Sequence, residues 1–221
     1  MHDKTILTYK KLHFIWLGSP MPEHLSANIL EWRRLHPDWQ TYIWTEKNLP
    51  ILRNSDLYQR APELVPRDAL YQFRADIARY ELLYDFGGFY ADVDTRPLQP
   101  IDSYVEGREV FAAMEDRNWV GNTYLGSVPG HPLFGALISG LPNNVKRLQG
   151  KRPNHLSGPR YLTPLWKANG GYTAPSHLFY PYSYLDIKNG TVPTDYHKDV
   201  VCVHEWYHTQ TVLNNRKARR L

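Results

Sequence analysis

Residues 74–95 read RADIARYELLYDFGGFYADVDT, and this stretch decides the fold. Leu70, Phe73, Ile77, Tyr80 and Tyr84 fall at spacings of three and four, one apolar stripe of a helix. The spacing predicts a helix over 67–85, ended by Gly87-Gly88 with a left-handed cap. Phe89 to Val93 then reads as a strand carrying two carboxylates. On an extended segment residues two apart face the same side, so Asp92 and Asp94 are expected to converge on one cation. Paired hard oxygens suit Mg²⁺ or Mn²⁺, which keep other positions for water and a diphosphate. An isolated Asp-x-Asp is more often a solvated pair. Here the helix and the Gly-Gly turn place it where strand C-termini open into a ligand crevice.

Outward from this stretch the pattern stays α/β. Leu12 to Leu17 (LHFIWL) is a short apolar run closed by Gly18-Ser19-Pro20, a buried strand. Leu25, Ile29 and Trp32 give helical spacing over 22–36, and Pro37 stops it. Gln40 to Trp44 reads as a second strand, so strand, helix and strand form a βαβ unit. Residues 46–66 read as short helices, and 110–114 and 119–125 as strands. Residues 131–148 look helical but interrupted by Gly140 and Pro142. Residues 150–199 read as loops around one short helix near 159–168, followed by a last strand at 200–203. The expectation is one catalytic domain over 1–221, with 150–199 as a loop-rich acceptor side and 212–221 as a basic tail.

The chain has 221 residues and a formal charge of +4, and Arg216, Lys217, Arg219 and Arg220 account for the whole excess. A neutral body argues against a nucleic-acid-coating protein, in which cationic charge is spread along one face. A single cysteine excludes an internal disulfide and a zinc ribbon. No apolar run is long enough to span a bilayer, and MHDKTILTYKKLHF lacks a secretory signal. These features predict a soluble, cytoplasmic protein, with the tail as a peripheral contact to an anionic membrane. The 16 Tyr, 7 Trp and 7 Phe suit sugars and nucleobases, although plain packing uses aromatics more often.

Other motifs compete. Asp76 and Arg79, three apart on the helix, could hold sugar hydroxyls and a phosphate, or form a surface ion pair. His204-Glu205-Trp206-Tyr207-His208 spells HExxH, a zinc-peptidase pattern that requires a helix. The preceding VVCV reads as a strand, and no third ligand follows. His204 fits better as an extra metal ligand after a strand. DVDT also matches the start of haloacid-dehalogenase-type phosphatases, but its lead-in is GGFYA, ninety residues in, and the chain has no adjacent Asp-Asp.

Taken together, LHFIWLGSPMP, HPDWQTYIW and RADIARYELLYDFGGFYADVD resemble the sugar-binding region of DXD-motif glycosyltransferases. This family is family 32-like, related to yeast α-mannosyltransferases and to the glucosylating domains of large clostridial toxins. The likeness continues through Asn122, Gly130-His131-Pro132, Ser157-Gly158-Pro159 and His204. It implies a GT-A fold, a Rossmann-like mixed α/β sheet, and hexose transfer with retention from a UDP- or GDP-sugar with Mn²⁺ or Mg²⁺. It implies Trp16 stacking on the nucleobase, Asp76 and Arg79 contacting donor sugar and phosphate, and Tyr90 and Asp92 near ribose and sugar. It also implies Asn122 near the sugar, Asp94 as direct metal ligand and His204 completing the metal site. Asp76, Arg79 and Asp92 are the catalytic candidates. The acceptor is a carbohydrate, a lipid-linked sugar or a protein. The family's Ser-Trp pair is replaced by Thr209-Gln210, which puts in doubt how the diphosphate is covered there. The alternatives are a zinc metallopeptidase and a non-catalytic nucleotide-sugar-binding relic.

Overall fold

Eight strands organise the chain: β1 (Lys11–Ile15), β2 (Gln40–Trp44), β3 (Gly88–Ala91), β4 (Thr95–Pro97), β5 (Val110–Met114), β6 (Val120–Ser127), β7 (Tyr172–Ala174) and β8 (Cys202–His204). They are seen in a computed structural model that describes residues 4–211. The basic tail expected over 212–221 lies outside the described residues. Six strands form one sheet in the order β2-β1-β3-β6-β5-β7, and β4 and β8 form a separate antiparallel pair. Within the large sheet β1 pairs parallel with β2 and β3, and β5 pairs parallel with β7. β6 runs antiparallel to both β3 and β5.

This mixed topology sets the position of the site. Because β3 and β5 both oppose β6, and β1 is parallel to β3, the C-terminal ends of β1, β3 and β5 leave the sheet at one edge. The start of β6 lies at the same edge. Trp16, Asp92 and Glu115 follow those three strand ends, and Asn122 is near the start of β6.

Alternation along the strands divides the core in two. Ile15, Tyr90, Val110 and Ala112 pack with Phe73, Ile77, Leu137 and Trp166 on one side of the sheet. Leu12, Phe14, Phe89, Ala91, Phe111 and Ala113 pack with Ile29, Trp32 and Phe179 on the other. The Leu70–Phe86 helix is the centrepiece of the first layer. It is wider than the expected single stripe: every residue from 76 to 83 is buried. Asp76 and Arg79 are thus 1% and 3% exposed, and the surface-pair reading of them is wrong.

Several expectations change in detail. Gly87 caps the helix at φ 62° and ψ −170°, a glycine conformation but not the left-handed helical one. β3 ends at Ala91, and residues 93 and 94 form a turn, so Asp92 and Asp94 do not converge by strand alternation. The Pro132–Arg147 helix runs through Gly140 and Pro142 without a break. Pro142 has no N–H for the Ile138 carbonyl, and Asn54 Nδ2 donates to that carbonyl instead, at 3.0 Å. Tyr161 approaches Gly140 so closely that a Cβ there would lie 2.9 Å from its hydroxyl. Between residues 150 and 199 the chain forms the Pro159–Asn169 helix, three shorter helices and β7, not mostly loops.

The Gly87–Gly88 turn is held from β1. His13, fully buried, accepts from Trp44 Nε1 at 3.1 Å and therefore donates through Nε2 to the Gly87 carbonyl at 2.8 Å. Burial pushes its pKa down to about 4, so the ring stays neutral and keeps this tautomer. A Cβ at Gly88, where φ is +97°, would lie 2.4 Å from the Lys11 carbonyl oxygen. Gly88→Ala therefore combines backbone strain with a clash against a central strand. We expect about 2–4 kcal/mol of destabilisation, read as a lower urea midpoint at unchanged slope.

Candidate active site

The turn after β3 is fastened on its far side by the Glu23–Leu35 helix. Trp32 Nε1 donates to the carbonyl and the hydroxyl of Thr95, at 3.1 and 3.2 Å, and the Thr95 hydroxyl donates to the Asp92 carbonyl at 2.5 Å. Asn28 Nδ2 adds a 3.4 Å contact to the Val93 carbonyl. The backbone of Asp92–Asp94 is therefore fixed before any ligand arrives, and its carboxylates project toward β8.

β8 brings His204 to them through the antiparallel register Thr95↔His204. Ligand atoms of Asp92, Asp94 and His204 lie within 4.8 Å of one another. His204 Nε2 is 3.3 Å from Asp94 Oδ2, which also accepts from the Tyr207 backbone N–H at 2.9 Å. Burial alone would raise the Asp94 pKa, but the His204 charge, its hydrogen bond and the Tyr207 N–H together outweigh it and hold the carboxyl below its usual range. Burial likewise opposes the imidazolium, yet Asp94 raises the His204 pKa overall. Two carboxylates and one imidazole fit Mn²⁺ or Mg²⁺ with positions left for ligand oxygens, and offer no thiolate for a softer metal.

Behind this cluster the helix supplies a buried charged network. Arg79 lies 3.2 Å from both Asp76 and Asp92, donates to the Asn122 carbonyl, and stacks 4.6 Å over the Tyr90 ring. Burial disfavours its charge, but Asp92 and its other neighbours hold it protonated. Asp76 accepts from Asn122 Nδ2 at 2.8 Å and from the Ser157 hydroxyl at 2.6 Å. Burial nonetheless pushes the Asp76 pKa up to about 6. The Tyr90 hydroxyl donates to Asp92 at 2.6 Å. The structure thus brings Asp76, Arg79, Tyr90, Asp92 and Asn122 into one hydrogen-bonded unit next to Asp94 and His204.

All seven residues line one cavity of about 810 Å³, within the range of small-ligand sites. Trp16 forms part of its wall, its Nε1 donating to the Ser19 carbonyl at 2.8 Å and its ring 6.4 Å from that of Tyr207. Arg152, Tyr184, Lys188, Trp206 and His208 also line it, Trp206 partly buried against the core and His208 exposed. Sequence reading named neither Glu115 nor the individual contribution of Ser157. Glu115 had a usable signal, an acid at the end of the apolar run VFAAM, the same logic that singled out Asp92. Ser157 is 81 residues from Asp76, and no local pattern pairs them.

The zinc-peptidase geometry is absent. His204 ends a strand, Trp206 has φ 54°, and residues 207–211 begin a new helical segment, so His204 and His208 are not one helical turn apart. Glu205 turns away from the cavity, accepting from Asn28 Nδ2 at 3.0 Å. Thr209 lines the cavity where the family's Ser-Trp pair was expected.

The mixed sheet, with a carboxylate–imidazole cluster at its strand ends, has the GT-A fold. The likeness to solved structures agrees on the fold: PaToxG glycosyltransferase aligns at TM-score 0.60 and 17% identity over 72% of this chain and 69% of that one. The galactosyltransferase LgtC aligns at 0.52 and 12% over 89% and 87%. Residues 22–111 match the family described as the glycosyltransferase sugar-binding region containing a DXD motif. Inositol phosphoceramide mannosyltransferase 2 of Schizosaccharomyces pombe is 32% identical over 140 residues, 62% of this chain. The chain spans 39% of that relative's length. Among the described residues no helix is long and apolar enough to cross a membrane.

Proposed function

We propose that this chain is a single catalytic domain that transfers a hexosyl group, with retention, from a nucleoside-diphosphate sugar to a hydroxyl acceptor. The observation that carries the reading is the convergence of Asp92, Asp94 and His204 within 4.8 Å, against the buried Asp76–Arg79 pair, in one cavity. A divalent cation at this cluster supplies positive charge to the leaving diphosphate. Asp92, Asp94 and His204 would hold such a cation, His204 as the neutral ring with its proton released to solvent. Trp16 offers a ring face to the nucleobase. Asp76 and Asp92 face the anomeric carbon as it becomes cationic, and Arg79 acts by fixing both carboxylates. Asp76 and Asp92 are both tied to Arg79, so neither is placed as a covalent nucleophile. In this reading the acceptor attacks on the front face, with the leaving phosphate taking its proton. Trapping a covalent glycosyl-enzyme on any carboxylate of the cavity would overturn it.

The relatives' names make a mannosyl donor the first to try and an inositol-phosphate-bearing lipid the first acceptor, ahead of carbohydrates and proteins. A cytoplasmic or membrane-peripheral setting belongs to the same reading. The test is Mn²⁺-dependent hydrolysis and transfer across a panel of UDP- and GDP-sugars. Cleavage of one donor with metal, and none after chelation, is expected. Cleavage of no donor, or equal cleavage under chelation, overturns the reading.

The raised Asp76 pKa gives a pH signature. An acid raised to about 6 in the native state, against 3.8 in the unfolded chain, holds more protons when folded between those values. Stability should therefore fall as pH rises through that window and level off above about pH 6. Activity has the opposite sign, because the ionised carboxylate is needed. We expect kcat/KM to drop roughly tenfold per pH unit below about 6, measured on the donor that the panel identifies. A flat profile from pH 5 to 8 contradicts this role.

A further inference from the structure

Five carboxylates line the cavity: Asp68, Asp76, Asp92, Asp94 and Glu115. Four are committed. Asp68 pairs with Arg152 at 2.8 Å. Asp76 is held by Asn122, Ser157 and Arg79. Asp92 is held by Tyr90 and Arg79. Asp94 is held by His204 and the Tyr207 N–H. Only the Glu115 side chain has no hydrogen bond or ion pair among the described residues, although it is half-buried. A partly desolvated carboxylate without donors is costly to keep unless a ligand supplies them.

Its presentation is rigid. Glu115 follows directly on β5, and its N–H donates to the Trp119 carbonyl at 2.9 Å, closing the turn into β6. Asp116 caps the same turn by accepting the N–H groups of Asn118 and Trp119, at 2.7 and 3.0 Å. The Arg160 guanidinium sits 4.5 Å over the Trp119 ring and clamps the turn from outside. The end of β5 shares its sheet edge with the end of β3, so Glu115 and Asp92 enter the cavity from parallel strands on either side of the start of β6.

We propose that Glu115 binds a hydroxyl of the transferred hexose. This rests on the glycosyltransferase reading above and names one more substrate contact within it. The choice of ligand follows from charge. An anionic side chain repels a diphosphate, so the partner is a neutral donor. The hexose is the neutral group one bond from the diphosphate, and therefore the one beside Asp92. A carboxylate accepting from a hydroxyl makes a short, charge-assisted bond.

The test compares two ligands by calorimetry with Mn²⁺ present: GDP-mannose (or the UDP-sugar that the panel selects) and the corresponding nucleoside diphosphate. Glu115→Ala should lose about ten- to a hundredfold in affinity for the sugar nucleotide and keep its affinity for the diphosphate. Glu115→Gln, which retains an acceptor oxygen, should recover part of the loss. Equal sugar-nucleotide affinity in wild type and Glu115→Ala overturns the proposal. So does an equal loss for both ligands, which would make Glu115 a support of the metal cluster or the fold. Wild type that binds no sugar nucleotide at all overturns the glycosyltransferase reading itself.

Discussion

Asp94→Asn is expected to lower kcat/KM for the nucleotide-sugar by about 10³-fold or more, roughly 4 kcal/mol of lost transition-state stabilisation. The change deletes a charge and leaves a shape. Asparagine can still accept the Tyr207 N–H, so the turn and the start of the 207–211 segment should hold. What it cannot do is pair with His204 or contribute an anionic oxygen to the cluster. A thermal midpoint close to that of wild type, beside the lost turnover, would separate loss of the metal site from loss of fold. Wild-type turnover in Asp94→Asn would contradict the role given to the cluster.

The second large effect is on stability. Arg79→Leu removes the cation that lies between Asp76 and Asp92, each 3.2 Å from it. Asp76 is 1% exposed and would be left as an uncompensated buried carboxyl. Removing one partner of such a network typically costs about 3–5 kcal/mol, and we expect that loss in urea unfolding followed by tryptophan fluorescence. Arg79→Lys tests the geometry separately. Its point charge cannot span both carboxylates as the planar fork does, so it should recover much of the stability and little of the activity. A loss below about 1 kcal/mol in Arg79→Leu would show that Asp76 is neutral and the network not ionic.

The legible parts of the fold were those written in local chemistry. β2 starts and ends at Gln40 and Trp44, the bounds read from the sequence. The helix into Gly87-Gly88 and the strand after it were visible because periodicity switches from helix to strand across a glycine pair. The misreadings came from contacts distant in sequence. Pro142 signals a break, and only Asn54, 88 residues earlier, makes an unbroken helix tolerable by taking up the freed carbonyl. Tyr172–Ala174 is too short to show alternation and is a strand because β5 pairs with it. Asp76 and Arg79 look like an exposed i,i+3 pair, but Asn122 on β6, Tyr90 on β3 and Ser157 close over them.

The candidate site follows the same division. Asp92, Asp94 and His204 were placed together by motif and resemblance, and the fold brings them together through a turn and a neighbouring strand, not through alternation along one strand. The places of Ser157 and Glu115 depend on how the sheet edge assembles, which no single stretch encodes.

The central claim is that Asp92, Asp94 and His204 hold one divalent cation together with a nucleoside diphosphate. Its most direct measurement is Mn²⁺ binding by electron paramagnetic resonance, with and without GDP or UDP, in wild type and in His204→Ala. The account predicts one bound Mn²⁺ per wild-type chain, tightened by the diphosphate, and at least tenfold weaker binding in the variant. Equal Mn²⁺ binding in the two proteins, or no binding in wild type with either nucleotide, would contradict it.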